Sequence, residues 1–171
     1  DEKYIDMFKD SQNRIATMSL IHEKLYQSKS LTNIDVGGYI KELVSGLFIF
    51  YDVNPSKITM SVDADNVSLG INSAIPCGLI INELVSNSLK YAFPAGRPGK
   101  VWISLRSASN GDFKLIIGDN GVGLPTDMDI KKTESWGMRM VAILIENQLH
   151  GEFTINRENG TEYHIKFREL K

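Results

Sequence analysis

Cysteine is nearly absent from this sequence, because Cys77 is the single one among 171 residues. One thiol excludes an internal disulfide and a multi-cysteine metal cluster, as is common in a reducing cytoplasm. A charge excess is also absent: 19 basic and 21 acidic side chains leave a net charge of −2, without the basic footprint of nucleic-acid binding. No signal peptide or membrane-length apolar run is recognisable. We therefore expect a soluble, cytoplasmic chain that binds no nucleic acid.

The N-terminal residues carry a long pattern of side chains that recur at alternating steps of four and three. This pattern predicts a helix with a heptad seam. The seam positions are Tyr4, Phe8, Ser11, Ile15, Met18, His22 and Leu25. The remaining sequence supplies no matching helix, so we expect the partner in a missing segment or in another chain. Because the pattern starts at Asp1 with no cap or methionine before it, we also expect the chain to be cut from a longer protein.

The rest of the chain alternates between two periodicities. A polar break at residues 28–30 precedes it, and we place the domain boundary there, dividing the chain into residues 1–30 and 31–171. Amphipathic patterns predict helices at about 35–51, with Asp35 as N-cap, and at about 74–92 and 136–149. Period-two alternation predicts strands at 58–62, 101–105, 113–117 and 163–167, with a shorter strand near 153–155.

These elements predict an α/β (α+β) fold, a two-layer sandwich preceded by a long N-terminal helix. Clean alternation means that one sheet face is covered and the other meets water, which favours a mixed, mostly antiparallel sheet. The three later helices would cover that face. The turn at residues 157–160 would join the short strand to the last one.

A polar row on the second of these helices is the first candidate site. Glu83, Asn87, Lys90 and Tyr91 share one arc, because side chains three and four residues apart lie on the same face of a helix. A carboxylate, an amide, an ammonium and a phenol in one row suit a metal-bound polyphosphate. The alternative is an amphipathic helix whose polar face is merely solvated.

A strand-end aspartate is the second candidate. Asp119 has the parity of the inward-facing Ile117, so it points toward the covered face and needs a hydrogen-bond donor. An adenine amino group is a suitable donor, and the following Gly121 and Gly123 let the backbone turn closely past a flat base. The alternative is an ordinary D-N-G turn after a strand. An aspartate of this kind and an upstream E-x-x-x-N helix together favour an adenine-nucleotide site.

Four segments in consistent order resemble the catalytic, ATP-binding part of sensor histidine kinases, in the superfamily that also holds gyrase-type and mismatch-repair ATPases. Residues 82–93 resemble the N box, 119–123 the G1 box, 135–141 the G2 box and 160–165 the closing Gly-Thr strand. Residues 14–26 are similar to the second dimerisation helix of a subfamily whose phosphoacceptor box reads H-R-x-K-N-N. Two features depart from the pattern: the G2 segment has one glycine, and the lid, residues 124–136, has no F box.

The resemblance implies a role for each residue of the polar row. Asn87 would coordinate Mg²⁺ through its amide oxygen, with ATP phosphates and water completing the shell. Glu83 stands where most histidine kinases carry asparagine, and its carboxylate would orient or deprotonate a group near the metal. Lys90 and Tyr91 would contact phosphates.

The resemblance also implies roles around the adenine. Asp119 would bind the base, and Gly121 and Gly123 would shape the rim of the pocket. Gly137, at a helix start, would let backbone N–H groups approach phosphate. Thr161 would support the base through Asp119 or a water molecule. Two lid residues, Lys131 and Lys132, would be weak phosphate contacts.

The three histidines are not predicted to be phosphorylated. His22 lies on the seam and His22-Glu23 lacks the usual continuation of a phosphoacceptor box, so we interpret it as an interface residue. His150 ends a helix, where it would complement the dipole, and His164 alternates outward on the last strand. We therefore expect that this fragment does not autophosphorylate.

The leading hypothesis is thus a histidine protein kinase fragment that binds Mg-ATP and phosphorylates a histidine on an upstream helix. The intact protein would form a homodimer through the N-terminal helix, would be soluble or membrane-anchored, and would pass the phosphoryl group to a response regulator. Alternatives are an ATP hydrolase of the gyrase or mismatch-repair branch, a non-catalytic nucleotide-sensing or dimerisation module, and a serine kinase.

Overall fold

A computed structural model describes residues 2–27, 33–125, 128–133 and 135–169. Its α-helices are α1 (Glu2–Gln27), α2 (Val36–Phe50), α3 (Ile71–Asn87) and α4 (Trp136–Ile143). Its strands are β1 (Ile34–Asp35), β2 (Ile58–Asp63), β3 (Ser68–Leu69), β4 (Gly99–Ser107), β5 (Asp112–Asp119), β6 (Glu152–Asn156) and β7 (Thr161–Arg168). The predicted domain boundary, at residues 28–31, lies outside the described residues.

The central sheet has five strands in the order β2-β4-β5-β7-β6. Strands β2 and β4 are parallel and all other neighbours in this sheet are antiparallel. Side chains that alternate toward the helices, such as Ile103, Leu115 and Ile165, are fully buried, whereas Lys114 and Lys166 between them are exposed. The predicted two-layer α/β sandwich with a mixed, mostly antiparallel sheet is confirmed. A separate antiparallel ribbon joins β1 and β3.

Helices α2, α3 and α4 form the second layer. Val44, Ile80, Val85 and Ile145 are fully buried between the helices and the sheet, where each such side chain stabilises the fold by about 1.5–3 kcal/mol relative to exposure. The predicted N-cap of α2 is confirmed, because the Asp35 Oδ1 accepts a hydrogen bond from the Gly37 N–H at 3.1 Å.

Helices α3 and α4 each continue into a widened, π-helical turn, at Ser88–Ala92 and Leu144–Gln148. Together with these turns they cover the helical segment predicted at 74–92 and all but the last residue of the one predicted at 136–149. Helix α3 begins three residues before the predicted start, with Pro76 inside it rather than in its first turn. The turn Ser88–Ala92 brings the end of the polar row beside the loop that follows β5, because the Val122 N–H donates to the Ala92 carbonyl at 2.9 Å.

Helix α1 packs on α3 with a face that the heptad pattern did not indicate. Asn13, Thr17 and Ile21 are buried. The Thr17 Oγ1 donates to the Asn82 Oδ1 at 2.9 Å, and the Asn13 Nδ2 donates to the Tyr51 hydroxyl at 3.0 Å. Between 46% and 68% of the surface stays exposed at the seam positions Tyr4, Phe8, Ile15 and Met18. The Leu25 side chain, also predicted for the seam, lies outside the described part of the structure.

None of the described helices combines the length and apolar character needed to cross a membrane.

Candidate functional site

A cavity of about 260 Å³ lies between the end of α3, the loop after β5 and the start of α4. Its apolar lining consists of Leu84, Ala92, Leu124, Met128 and Met138. Its other lining residues are Asn87, Ser88, Tyr91, Asp119, Gly123, Thr133, Ser135, Thr161 and Tyr163. A mostly apolar concave site with a few convergent polar groups is typical of small-molecule binding. Five predicted site residues therefore share one cavity: Asn87, Tyr91, Asp119, Gly123 and Thr161.

Asp119 is the buried acid of this cavity, with 4% of its surface exposed. It ends β5 directly opposite Thr161 on β7. The Ser88 Oγ donates to its Oδ2 at 2.6 Å, and the Gly121 N–H donates to its Oδ1 at 2.9 Å. Each carboxylate oxygen can accept a second hydrogen bond. Asp119 is thus held in place by protein donors while it keeps acceptor capacity toward the cavity.

The sequence did not indicate a role for Ser88. Its hydroxyl also lies 3.1 Å from the Leu84 carbonyl. One general rule could have indicated it: a buried carboxylate at a strand end that faces a helix needs a hydrogen-bond donor on that helix.

Tyr163 closes the cavity from β7. Burial, reinforced by the nearby charge of Asp119, raises the pKa of its phenol above the ordinary value, although Arg157 opposes the shift. The hydroxyl therefore stays neutral and can donate a hydrogen bond at all physiological pH values.

Asn87 stands on the α3 side of the cavity. Its Nδ2 lies 3.0 Å from the Met138 Sδ on α4, so the amide nitrogen is engaged within the protein. The amide oxygen is the hard ligand that Mg²⁺ prefers. Among the described residues, no group of three or more His, Cys, Asp or Glu side chains is arranged to hold a metal ion. A magnesium ion at Asn87 therefore needs oxygens from its ligand, and this donor set fits an ion that arrives with a polyphosphate.

Glu83 faces α1 and does not line the cavity. It is buried and accepts two hydrogen bonds from Arg14, from Nε to Oε1 at 2.5 Å and from Nη2 to Oε2 at 3.0 Å. The same guanidinium lies 4.4 Å from the centre of the Trp136 ring. A bidentate arginine fixes the orientation of the carboxylate.

Lys90 also faces α1, where its ammonium forms an ion pair with Asp10. Burial alone would lower the pKa of Lys90, but the hydrogen bond and charge of Asp10, with smaller contributions from Tyr51 and Tyr91, raise it above the ordinary value. The polar row is therefore divided. At about 100° per residue, Glu83 and Lys90 lie at the edge of the arc toward α1, while Asn87 and Tyr91 lie at the edge toward the cavity.

Two predicted glycines are required by close packing. A Cβ at Gly121 would lie 2.4 Å from the Ala92 Cβ, and a Cβ at Gly137 would lie 2.3 Å from the Glu83 Oε2. Gly121 therefore lets the loop after β5 pack against the π-helical turn of α3. Gly137 lets the start of α4 approach the ion pair between Arg14 and Glu83.

The two lysines of the predicted lid have carboxylate partners on the protein. Lys131 forms an ion pair with Glu146, and the Lys132 ammonium lies 3.8 Å from Asp129. Neither lines the cavity. The lid residues 126, 127 and 134 lie outside the described part of the chain.

Family comparisons match both parts of the chain. The family described as histidine kinase-, DNA gyrase B-, and HSP90-like ATPase matches residues 72–171, and a histidine kinase family matches residues 1–51. Sensor histidine kinase PdtaS of Mycobacterium tuberculosis is 27% identical over 161 residues, which are 90% of this chain and 30% of that protein. Blue-light-activated histidine kinase 2 of Erythrobacter litoralis is 24% identical over 154 residues, 88% of this chain and 44% of that protein. The chain thus spans less than half of either relative.

Among solved structures, the histidine kinase domain of the Erythrobacter litoralis blue-light-activated kinase EL346 matches with a TM-score of 0.83. The match covers 93% of this chain and 74% of that one, at 24% sequence identity. At this identity the likeness shows a common fold, which includes the long helix before the sandwich.

Proposed function

Since the chain belongs to the histidine kinase-, DNA gyrase B-, and HSP90-like ATPase family, as part of a sensor histidine kinase, we propose that it binds Mg-ATP and donates the γ-phosphoryl group to a histidine on an upstream helix. The phosphoryl group would then pass to an aspartate of a response regulator. The proposed setting is the cytoplasm, and the proposed assembly of the intact protein is a homodimer that uses the exposed seam of α1.

The observation that carries this proposal is the buried carboxylate of Asp119 at the base of an apolar cavity. Ser88 and Gly121 fix its orientation, so it can accept a hydrogen bond from an exocyclic amino group without reorganising. Adenine has such a group and a flat apolar ring. Leu84 and Met138 belong to the apolar lining of the same cavity. Guanine presents a carbonyl oxygen at the corresponding position, and a buried carboxylate repels it.

The phosphates belong at the mouth of the cavity near Asn87 and Tyr91. Tyr91 is 68% exposed and so is free to turn toward a ligand. A bound Mg²⁺ would neutralise phosphate charge, and Asn87 would orient it. Phosphoryl transfer requires positioning and charge stabilisation rather than covalent chemistry from the protein. Asn87 and Tyr91 would position the phosphates, and the Mg²⁺ held by Asn87 would stabilise their charge.

The contact between Arg14 and Glu83 favours transfer over steady hydrolysis. A general base for water must have a free lone pair directed at that water. In this structure Arg14 holds the Glu83 carboxylate on the α1 side of α3, outside the cavity, so neither oxygen is directed at a water beside the ligand. We expect little ATP hydrolysis by the chain. Steady hydrolysis that is abolished by Glu83→Gln would instead support a hydrolase of the gyrase or mismatch-repair type.

The binding proposal is tested with Asp119→Asn and a matched control on the same strand. Isothermal titration calorimetry with Mg-ATP and with adenosine should show both bound by the wild type. Asp119→Asn should weaken both by about 10- to 100-fold, since a hydrogen bond to a charged acceptor contributes about 1.5–3 kcal/mol. Asp112→Asn, at the opposite end of β5, where Asp112 pairs with Arg168, should bind like the wild type. No binding at millimolar ATP would support a non-catalytic module.

The transfer proposal is tested by incubating the chain with radiolabelled ATP. We expect no acid-labile phosphate on this chain, because His22 is exposed on the α1 seam and His164 is engaged with Glu162 on the outer sheet face. A longer protein that includes the upstream helix should become labelled. Label on the chain alone that disappears in His22→Gln would overturn this assignment, and acid-stable phosphate on a partner protein would indicate a serine kinase.

A further inference from the structure

Arg157 lies in the connection between β6 and β7, outside every motif of the predicted nucleotide site. Its side chain is half-buried and crosses to the segment between β5 and α4. There the Nη1 donates to the Pro125 carbonyl at 2.9 Å and the Nη2 donates to the Met128 carbonyl at 2.7 Å. One guanidinium therefore ties together two points of the lid that are three residues apart.

The two carbonyls are placed so that holding them also holds the cavity wall. Pro125 directly follows Leu124, and both Leu124 and Met128 line the cavity. Turn residues that make few contacts of their own are free to move unless a side chain fixes their carbonyl groups. The planar fork of arginine presents two donors in fixed geometry, and a lysine ammonium, which is a single point, cannot reproduce it.

We propose that Arg157 is a positioning residue that fixes the lid-side wall of the cavity and so sets the affinity for the nucleoside part of the ligand. This inference rests on the proposed ATP-binding function. Arg157 does not line the cavity, and its action passes through the backbone at Pro125 and Met128. The contribution of Arg157 to the free energy of binding should therefore be the same for adenosine, ADP and ATP, because the wall that it fixes would lie next to the nucleoside and not the phosphates.

The first experiment measures adenosine, ADP and ATP binding to Arg157→Ala and Arg157→Lys by calorimetry. Arg157→Ala should weaken all three by the same factor, on the order of tenfold for the loss of two hydrogen bonds from a charged donor. Arg157→Lys keeps the charge and one donor, so it should lie between Arg157→Ala and the wild type. The matched control is Arg168→Ala, which removes an exposed arginine paired with Asp112 at the far end of β5.

Equal affinity of Arg157→Ala and the wild type for adenosine would overturn the inference. So would a loss confined to ADP and ATP, which would show that Arg157 acts on phosphates through its charge. If Arg157→Ala unfolds below the assay temperature, the adenosine affinity of Arg157→Lys is compared with that of the wild type instead. Equal affinities would refute the positioning role.

A second readout needs no ligand. Lys131 and Lys132 are exposed in the lid, and trypsin cleaves after such residues once the backbone can open. Arg157→Ala should be cut there several times faster than the wild type, while Arg168→Ala should not. Unchanged cleavage would contradict the proposal. If the wild type binds no adenine nucleotide, the proposed function fails, but faster cleavage would still support the role of Arg157 in fixing the lid.

Discussion

Asp10 on α1 should weaken Mg-ATP binding, because it occupies the ammonium of Lys90. If Lys90 contacts phosphate, the ligand and Asp10 compete for the same cation. The Asp10 carboxylate would also place a negative charge near the phosphates that Lys90 contacts. By linkage, docking of α1 and binding of phosphates each weaken the other by the same factor. The substitution Asp10→Asn removes the charge, keeps the shape, and should tighten the binding of Mg-ATP.

The size of this effect follows from the exposure of the pair. The Lys90 and Asp10 side chains are 16% and 31% exposed, so the pair is stronger than a fully exposed one, and solvent still screens it. Exposed pairs contribute about 0.2–1 kcal/mol, and we take about 1 kcal/mol for this one. That free energy corresponds to an approximately fivefold lower Kd for Mg-ATP. Adenosine has no phosphate, and its Kd should not change.

The assay is a titration of the wild type and Asp10→Asn with Mg-ATP and with adenosine at low salt. Asp65→Asn is the matched control, because it also removes a carboxylate that pairs with a lysine, in this case Lys41 on an exposed surface. At high ionic strength the difference between Asp10→Asn and the wild type should shrink, as screening predicts. Equal or weaker binding of Mg-ATP by Asp10→Asn would refute the reasoning, as would an equal gain in adenosine affinity.

Three further predictions concern the site and the core. Ser88→Ala should destabilise the fold by about 1–2 kcal/mol in urea unfolding and weaken adenosine binding. Ser86→Ala should be neutral or stabilising, since the buried Ser86 Oγ has no partner among the described residues; a reversed order would contradict the role of Ser88. Gly137→Ala should lower the free energy of unfolding by about 1–3 kcal/mol, because the new Cβ would meet the Glu83 carboxylate that Arg14 holds. Gly46→Ala, in open space on α2, should instead raise it by up to about 1 kcal/mol. Finally, burial raises the pKa of the Cys77 thiol, so in the folded state it stays protonated where the unfolded chain ionises. The free energy of unfolding should therefore keep its full contribution from Cys77 below about pH 8.5 and fall above that pH by up to about 1.4 kcal/mol per pH unit. Urea unfolding of Cys77→Ala over the same pH range should show a shallower fall. An identical slope in the two proteins would exclude the thiol as the cause.

The sheet was predictable because burial on one face imposes a period of two on the sequence. The same parity argument placed Asp119 inward, since it continues the series of Leu115 and Ile117, and the structure buries it. The donor to that carboxylate was not predictable in the same way. Whether Ser88 or a neighbour reaches Asp119 depends on the widened turn at the end of α3 and on the register between a helix and a strand that are distant in sequence. No local pattern encodes either.

The role of Arg157 could not be predicted from the sequence either. In the sequence, the segment from Arg157 to Gly160 indicates a turn, and a turn needs no particular first side chain. Its significance comes from the carbonyls of Pro125 and Met128, and backbone acceptors leave no trace in residue identity. Contacts from a side chain to distant backbone are therefore the part of a site that a single sequence conceals most completely.

In helix α1, charged residues determine the direction of packing on α3, which the spacing of apolar residues does not indicate. The seam of α1 was identified from the spacing of apolar residues, yet the part of α1 from Asp10 to Thr17 contacts α3 mainly through polar side chains. Along that part Asp10 pairs with Lys90 and Arg14 pairs with Glu83, so the two helices run in opposite directions. With α1 reversed, Asp10 would approach Glu83 and Arg14 would approach Lys90, and both contacts would be repulsive. The order of charges thus selects one direction of docking and rejects the other. Because these contacts leave Tyr4, Phe8, Ile15 and Met18 exposed, the apolar seam stays available for a second helix.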